Sequence, residues 1–345
     1  MIPLFEVSGS PYEMGKQIGA QAQKLIRAGA EFYQKNWETI NGGPFESQLA
    51  LVQPAMPIAK ASAPKSFDEL RGISEGSGVS LPTLFLINSL ETVGTFNNYE
   101  RCTTVLVHPS KSATASTLLA HNEDWISCDR NLVYALRAKP EGEPAFLGFT
   151  YGAWMPQYGL NEAGLAFIAD SNTATDRRLG VSQTFVSREI LRCPSVDEAV
   201  RHVRALPRAD GHTYILASAT EGVMLETTAA RDAALLISVE TPWRVHTNYY
   251  QSKELEAFER EEHPNSTYRY GRVSELLAAK DGPLGKGDLA AALSDHANAP
   301  SSVCSHTDEH VKEETIARLI IDPAARTMEV SAYRSCESKP ERFSI

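Results

Sequence analysis

The strongest constraint on the fold of this chain is a change of pattern at the Arg101–Cys102 bond. Before this bond apolar residues recur at helical spacing, and after it the sequence reads as a series of short strands. The segment Thr103-Thr104-Val105-Leu106-Val107 is rich in β-branched residues, which is typical of a strand. The chain shows no internal repeat and no Pro/Gly/Ser-rich linker. We therefore divide it into residues 1–101 and residues 102–345.

The first part carries helix signals. Ser10-Pro11-Tyr12-Glu13 combines an N-cap serine, a proline in the first turn and a glutamate three residues after the cap. Apolar or small residues follow at helical spacing at Met14, Ile18, Ala22 and Leu25. Residues 67–73 and 84–90 carry two more such stripes, and Gly76-Ser77-Gly78 is predicted to form the turn between them. We expect a helical segment before the second part.

The second part alternates predicted strands and helices. Strands are predicted at residues 103–107, 118–122, 145–150, 165–169, 213–218, 223–227, 234–238, 315–322 and 327–333, and helices at residues 183–191, 196–205, 268–279 and 287–294. Short strands joined by turns favour antiparallel hairpins. The fold class is therefore α+β.

Composition excludes several classes of partner. The 345 residues carry a formal net charge of −10, which disfavours nucleic acid and anionic membranes. No apolar run reaches the ~18 residues of a membrane span, and the N-terminus lacks the pattern of a signal peptide. Five scattered cysteines without a CxxC pair suggest neither a disulfide framework nor a zinc ribbon. We expect a cytoplasmic protein without metal or other cofactor.

Cys102 is the candidate nucleophile, because it opens the first predicted strand. A thiol needs a base to become a nucleophile. Cleavage of the Arg101–Cys102 bond would create an α-amino group on the same residue, and such a group has an ordinary pKa of roughly 7.7–8.0. That value suits a general base near neutral pH. One residue would then supply nucleophile and base together.

The order and spacing of several segments resemble those of a known protein family. These segments are Gly9-Ser10-Pro11-Tyr12-Glu13-Met14-Gly15, residues 70–78, Cys102-Thr103-Thr104, His121-Asn122-Glu123-Asp124-Trp125, residues 159–165, Val245-His246-Thr247-Asn248 and residues 293–296. With them the chain resembles the acyl-coenzyme A:6-aminopenicillanic acid acyltransferases, an isopenicillin N acyltransferase-like branch of the autoproteolytic Ntn hydrolases. It is more distantly similar to bile-salt hydrolases and acid ceramidase.

The resemblance implies a four-layer αββα sandwich preceded by a helical pro-segment, with autoproteolysis before Cys102. It implies Cys102 as nucleophile, Asp124 at the end of the second strand as a positioning group, and Asn248 as the oxyanion-hole amide. His121 stands where distant relatives place an arginine, and a second oxyanion donor is expected from the segment Asp170-Ser171-Asn172, which includes the candidate pocket residues Ser171 and Asn172.

The resemblance also implies that Ser266, Arg269 and Arg272 lie on one helix in a structural or pocket-lining role. The expected partners are a small amide or acyl substrate and the two fragments of the chain itself, which are expected to stay together. A homo-oligomer is possible in principle.

The favoured activity is hydrolysis of a C–N amide bond in a small compound through an S-acyl-enzyme. The first alternative is acyl transfer from a thioester or amide to an amine. Three other readings stay open: a zinc peptidase built on the H-x-x-E-H pattern of His306, Glu309 and His310, a Cys-His thiol hydrolase that does not cleave itself, and an inactive relative that serves as a binding module.

Overall fold

Two stacked β-sheets with helices on both outer faces form the body of the molecule. The computed structural model describes residues 1–93, 102–260, 262–307, 309 and 312–345. One apolar core fills the space between the sheets and reaches the helices of the N-terminal part, and a smaller core lies under the helices on the opposite face. The predicted four-layer αββα sandwich is therefore confirmed.

The larger sheet has eight strands within the described residues. In spatial order they are β1 (Leu4–Gly9), β4 (Val133–Pro140), β5 (Phe146–Tyr151), β6 (Tyr158–Asn161), β7 (Ala166–Asn172), β8 (Gly211–Ala217), β9 (Gly222–Thr227) and β10 (Asp232–Leu236). All neighbours pair antiparallel except β1 and β4. Its middle strand β7 faces the second sheet.

The second sheet has six strands within the same residues. Their order is β11 (Trp243–His246), β2 (Thr103–Val107), β3 (Leu118–Ile126), β12 (Glu313–Asp322), β13 (Thr327–Ala332) and β14 (Glu341–Ser344). Every residue of β2 and β3 is buried. The two strands that follow the predicted cleavage bond thus lie in the interior of the sandwich.

The N-terminal part is not purely helical, and here the sequence prediction was wrong. Residues 4–9 form β1, which pairs in parallel with β4 from Leu4 opposite Ala135 to Gly9 opposite Pro140. An edge strand of six residues with one fully buried side chain, Val7, leaves little periodicity to detect. The strand joins the N-terminal part to the larger sheet by backbone hydrogen bonds.

Six helices follow β1 in the described N-terminal residues. They are α1 (Pro11–Gln21), α2 (Gln23–Asn41), α3 (Phe45–Val52), α4 (Ala55–Ser62), α5 (Pro64–Ser77) and α6 (Leu81–Ile87). The predicted capping box of α1 is present, with Ser10 and Glu13 each capping a backbone N–H of the other. Gly76 and Ser77 belong to α5, and only Gly78, with φ of 74°, ends the helix.

Four glycines let α1 and α5 pack at backbone contact. A Cβ on Gly15 would lie 2.0 Å from the Glu69 carbonyl oxygen, and one on Gly72 would lie 2.1 Å from that of Tyr12. Gly19 and Gly76 approach the partner helix almost as closely. The sequence segments around these glycines therefore serve helix packing rather than chemistry.

Four further helices cover the sandwich. They are α7 (Gln183–Ile190), α8 (Val196–Ala205), α9 (Pro264–Ala278) and α10 (Lys286–Ala292). The α8 helix contacts β8 and β9, whereas α9 contacts β11 and α10 contacts β3 and β12. None of the described helices has both the length and the apolar character that a bilayer crossing requires.

Buried polar contacts, among them those of Glu69 and Tyr33, join the N-terminal part to the body. Arg188 on α7 forms a fully buried ion pair with Glu69 on α5, at 2.8 Å. The Tyr33 hydroxyl on α2 donates to Asp129 and accepts from the indole nitrogen of Trp125 at 2.8 Å. The two parts therefore share one core and one set of buried hydrogen bonds.

Candidate active site

Cys102 lies directly before β2, with 5% of its surface exposed. Its Sγ is 3.9 Å from Oε2 of Glu123 on β3. Burial raises the pKa of the Cys102 thiol well above its ordinary value, and the nearby carboxylates of Glu123, Asp170 and Asp124 raise it further. A hydrogen bond with the backbone of Asp124 acts in the opposite direction. In the uncleaved chain the sulfur is therefore a neutral thiol.

A small cavity opens beside the sulfur. Among the described residues it is lined by Cys102, Glu123, Trp125, Tyr151, Trp154, Gln157, Tyr158, Ala169, Ser171, Gln183 and His212. Its free volume of about 10 Å³ is close to the space that one water needs. Four of its walls are aromatic, so the surroundings favour a flat or apolar group next to the thiol.

His121 is held between two carboxylates. Its Nε2 lies 2.9 Å from Glu123 Oε2, and its Nδ1 lies 2.8 Å from the Thr104 hydroxyl and 3.4 Å from Asp170. Burial alone would lower the pKa of His121, but the hydrogen bonds with Asp170 and Glu123 raise it to about 9. Near neutral pH the ring is an imidazolium with both nitrogens engaged, so it is not free to take the Cys102 proton.

The same network continues away from the sulfur through a second histidine. His246 Nδ1 lies 2.9 Å from Asp170 Oδ2, and its Nε2 lies 3.4 Å from Glu226. Burial would lower the pKa of His246, yet hydrogen bonds with the two carboxylates raise it to about 9. Burial by itself would raise the pKa of Asp170, but its two histidine partners hold it below the ordinary value.

Arg269 connects Cys102 with Asn248. Its Nη1 donates to the Cys102 carbonyl oxygen and, at 2.7 Å, to the Thr103 hydroxyl. Its Nη2 donates to Asn248 Oδ1 at 2.9 Å. The Asn248 Nδ2 donates in turn to the Ser171 carbonyl oxygen at 3.0 Å. This arrangement fixes the amide orientation of Asn248 beside the strand that carries the thiol.

The other predicted site residues differ in how they lie relative to the cavity. Asp124 is buried inside β3 rather than at its end, because the strand runs on to Ile126. Ser171 lines the cavity. Asn172 is not one of the described lining residues, and its Oδ1 accepts a hydrogen bond from Thr213. Arg101, on the other side of the predicted cleavage bond, lies outside the described residues.

The H-x-x-E-H segment does not show the helix that a zinc peptidase motif needs. Residues 305–307 and 309 are irregular, and His310 lies outside the described residues. The Glu309 carboxylate pairs with Lys312 at 2.9 Å. His306 instead approaches His296, Cys304 and Cys336, and the ligand atoms of these four residues all lie within 4.8 Å of one another.

Sequence reasoning assigned no role to Glu123, placed Asp170 only in a segment expected to supply an oxyanion donor, and did not reveal the contact of Arg269 with Cys102. The available signal was the run His-Asn-Glu-Asp at residues 121–124 inside a strand that is buried throughout. Four consecutive polar residues in a buried strand need partners, since each unpaired buried polar group is costly. The partners themselves are distant in sequence: Asp170 on β7, Tyr151 on β5 and the carbonyl oxygens of Leu293 and Val303.

Comparisons with known proteins agree with the resemblance seen in the sequence. Residues 111–335 match the family model described as acyl-coenzyme A:6-aminopenicillanic acid acyl-transferase. The β-alanyl-dopamine/carcinine hydrolase of Drosophila melanogaster is 24% identical over 389 aligned positions, which cover 98% of this chain and 95% of the hydrolase.

Solved structures were found at lower similarity. Penicillin V acylase from Agrobacterium tumefaciens is 15% identical with a TM-score of 0.47, and the match covers 70% of this chain and 85% of the acylase. A mutant of the conjugated bile acid hydrolase from Clostridium perfringens is 9% identical with the same TM-score of 0.47, over 71% of this chain and 97% of the hydrolase.

The family model spans well over half of the 345 residues and includes β3, β7, Asn248 and Arg269. This match confirms the prediction of an enzyme of the amidohydrolase and acyltransferase class. The chain belongs to the acyl-coenzyme A:6-aminopenicillanic acid acyltransferase family.

Proposed function

We propose that the chain is a precursor that cleaves itself before Cys102 and then hydrolyses an amide bond of a small compound. The observation that carries the proposal is the link from the Cys102 carbonyl through Arg269 to Asn248, beside a cavity that holds the sulfur. One arginine contacts both the residue that carries the thiol and the proposed amide donor. A nucleophile and an oxyanion donor are the two elements that acyl transfer requires.

Self-cleavage would begin with attack of Cys102 Sγ on the carbonyl carbon of residue 101. The C–N bond breaks, the acyl group passes to sulfur, and the nitrogen of residue 102 takes up a proton. Water then hydrolyses the thioester and regenerates the thiol. The products are fragments 1–101 and 102–345, and the second begins with a free α-amino group.

In the mature enzyme the α-amino group would serve as the base. His121 is unsuited to this role, because both of its ring nitrogens are engaged and its pKa is raised to about 9. An α-amino group has an ordinary pKa of roughly 7.7–8.0 and belongs to the same residue as the sulfur. This difference favours the self-cleaving enzyme over a conventional Cys-His hydrolase.

The catalytic cycle then follows. The thiol proton moves to the α-amino group while sulfur attacks the substrate carbonyl, and Asn248 Nδ2 donates to the oxyanion. The leaving amine takes the proton from the α-ammonium group. Water attacks the acyl-enzyme and releases the acid. An amine in place of water would make the enzyme an acyltransferase, which is the second candidate activity.

The cavity suggests the substrate class. Trp125, Tyr151, Trp154 and Tyr158 offer aromatic walls next to the sulfur. We propose a small amide with an aromatic or flat apolar half. The Drosophila relative is named for β-alanyl-dopamine and carcinine, so these two amides are the first compounds to test, followed by penicillin V and conjugated bile acids.

The two fragments are proposed to stay associated after cleavage. β1 contributes a strand to the larger sheet, and Glu69 and Tyr33 form buried contacts with the body. Trp125, whose indole N–H donates to the Tyr33 hydroxyl, is itself a wall of the cavity. Fragment 1–101 would therefore be needed for the shape of the site, although none of its described residues, 1–93, lines the cavity.

The test is release of free amine from each amide, measured by mass spectrometry, for the wild type, Cys102→Ala and Cys128→Ala. We expect hydrolysis by the wild type and by Cys128→Ala, and none by Cys102→Ala. Activity retained in Cys102→Ala would overturn the proposal. Added amines decide between the two candidates, because an acyltransferase would convert the acyl group into a new amide faster than into acid.

A labelling experiment examines the thiol itself. Cys102 is 5% exposed in the uncleaved chain, and its thiol is neutral. The mature residue has a neighbouring amino group, so it should react with iodoacetamide much faster than Cys102 in an uncleaved chain. Peptide mapping of the label gives the rate, and the partly exposed Cys128 serves as the internal control.

A further inference from the structure

Four side chains from three separate segments meet at one point outside the candidate active site. His296 follows α10, Cys304 and His306 precede β12, and Cys336 lies in the turn between β13 and β14. Their ligand atoms all lie within 4.8 Å of one another. The five cysteines, all within the described part of the chain, form no disulfide. The cluster is therefore a set of two thiols and two imidazoles.

His306 stands at the centre of the cluster. Its Nε2 lies 3.2 Å from His296 Nε2, 3.7 Å from Cys304 Sγ and 3.2 Å from Cys336 Sγ. One ring nitrogen carries at most one hydrogen, so hydrogen bonds cannot account for all three contacts. A shared cation between the four atoms accounts for all of them.

The separations match tetrahedral coordination. With Zn–N distances of about 2.0–2.1 Å and Zn–S distances of about 2.3 Å, tetrahedral ligands stand about 3.3 Å apart for two nitrogens and about 3.5 Å apart for nitrogen and sulfur. The observed distances are 3.2 Å between the nitrogens and 3.2 and 3.7 Å between nitrogen and sulfur. The side chains are thus already arranged as a ligand set.

We propose that His296, Cys304, His306 and Cys336 bind one Zn²⁺ ion in a closed structural site. Two thiolates and two imidazoles are a ligand set that zinc prefers in tetrahedral geometry. Four protein ligands leave no position for water or substrate, so the ion is structural and not catalytic. Binding releases the two thiol protons to solvent, and the two thiolates then neutralise the charge of the ion.

The environment suits binding from solution. His296 is exposed and Cys304 is buried, so the site has one open side and one side in the protein. His306 and Cys336 are each partly exposed and lie between these two sides.

The proposed ion would fasten a loop to the strands of the candidate active site. The Cys304 N–H donates to the Asp295 carbonyl oxygen at 2.9 Å, and Thr315 on β12 exchanges hydrogen bonds with Ser305. Thr315 is the register partner of Asp124 on β3. Zinc at this point would hold residues 295–306 and the turn of Cys336 against the edge of the sheet next to Asp124.

The first measurement is the zinc content of the full chain, purified under reducing conditions without added metal or chelator. Elemental analysis should find one zinc per chain in the wild type and in Cys128→Ser, which removes a thiol outside the cluster. Cys304→Ser and Cys336→Ser should each lose most of it. The Cys102→Ala variant should keep the metal, so this result is separate from the fate of the proposed function.

Cobalt provides a readout that does not depend on variants. The wild type, stripped with a chelator and titrated with Co²⁺, should develop tetrahedral cobalt bands and a thiolate charge-transfer band with an end point at one equivalent. Removal of the metal should lower the thermal midpoint, and Zn²⁺ should restore it. Substoichiometric zinc with no such spectrum would overturn the proposal. A disulfide between Cys304 and Cys336 in the freshly purified protein would also overturn it.

Discussion

The candidate active site lies in the body, whereas the N-terminal part contributes packing and buried contacts. The thiol, the oriented Asn248 amide and the imidazolium network all lie within residues 102–345. Residues 1–93 contribute β1, a helical layer and buried contacts such as Glu69 with Arg188. A cut between the two parts would therefore break one covalent bond and leave the packing and the site in place. Changes in the two parts should have different consequences, and four predictions separate them.

The largest expected effect comes from the ion pair that joins the two parts. Arg188→Met leaves Glu69 buried with only Arg192, at 3.5 Å, as a partial partner. Removing one member of a buried pair typically costs about 3–5 kcal/mol of stability. We expect about 3 kcal/mol in denaturant unfolding. The exposed pair of Lys16 and Glu75 is the control, and Lys16→Met should cost less than about 1 kcal/mol.

A double variant sharpens this prediction. Because a buried pair can often be replaced by apolar side chains without loss, Glu69→Leu with Arg188→Met should recover most of the stability lost in the single variant. If the double variant were less stable than Arg188→Met alone, the ion pair would not be the feature that joins the two parts.

A change in the body should affect chemistry more than stability. Asn248→Ala removes the proposed oxyanion donor, so kcat should fall by about 10²–10³, or about 2.7–4 kcal/mol in the barrier. Asn172→Ala is the matched control, because this side chain pairs with Thr213 rather than with the Arg269 network. Equal losses of kcat in the two variants, at unchanged thermal midpoints, would contradict the assignment of Asn248.

A glycine substitution tests packing within the N-terminal part. The Cβ of Gly72→Ala would lie 2.1 Å from the Tyr12 carbonyl oxygen, so α1 and α5 must move apart. Overpacking of this kind costs about 1–3 kcal/mol. Gly271 on α9 has no atom within 4 Å of the added Cβ, and Gly271→Ala should stabilise by about 0.5–1 kcal/mol through helix propensity. Thermal unfolding of both variants gives the comparison.

The fourth prediction is a dependence of stability on pH that originates in the body. The pKa of His246 is raised from 6.5 to about 9, so the folded chain binds this proton more tightly than the unfolded chain. Its contribution is complete below pH 6.5 and disappears as the pH rises through about 9. The free energy of unfolding should fall across this window. His246→Gln should make this fall shallower without abolishing it, because His121 keeps a pKa raised to about 9, whereas the more exposed His108→Gln should leave the curve unchanged.

Local sequence signals identified much of the fold. The strand of residues 103–107 and the helix of residues 196–205 agree with the prediction at both ends, because β-branching and an N-cap serine act within a few residues. β1 and β4 were missed, since parallel pairing between residues 4–9 and 133–140 leaves no local pattern. The N-terminal part therefore contains the strand β1 as well as the predicted helices.

The candidate site was predictable only in part. Cys102, Asp124 and Asn248 were found through the resemblance, and the structure brings Cys102 and Asn248 to the same arginine. Arg269 itself was placed on a helix but not at the nucleophile, because its hydrogen bonds to Cys102 and Thr103 join segments that are distant in sequence. The cluster around His306 was not predicted either, because its members are spread from residue 296 to residue 336.

The most direct test of the account is the intact mass of the freshly purified protein beside a Cys102→Ala variant. We expect two fragments in the wild type, 1–101 and 102–345. They should elute together from a sizing column and separate only on denaturation. The variant should remain one uncut chain. A single full-length species in the wild type, with normal amidase activity, would contradict the proposal that cleavage before Cys102 creates the catalytic base.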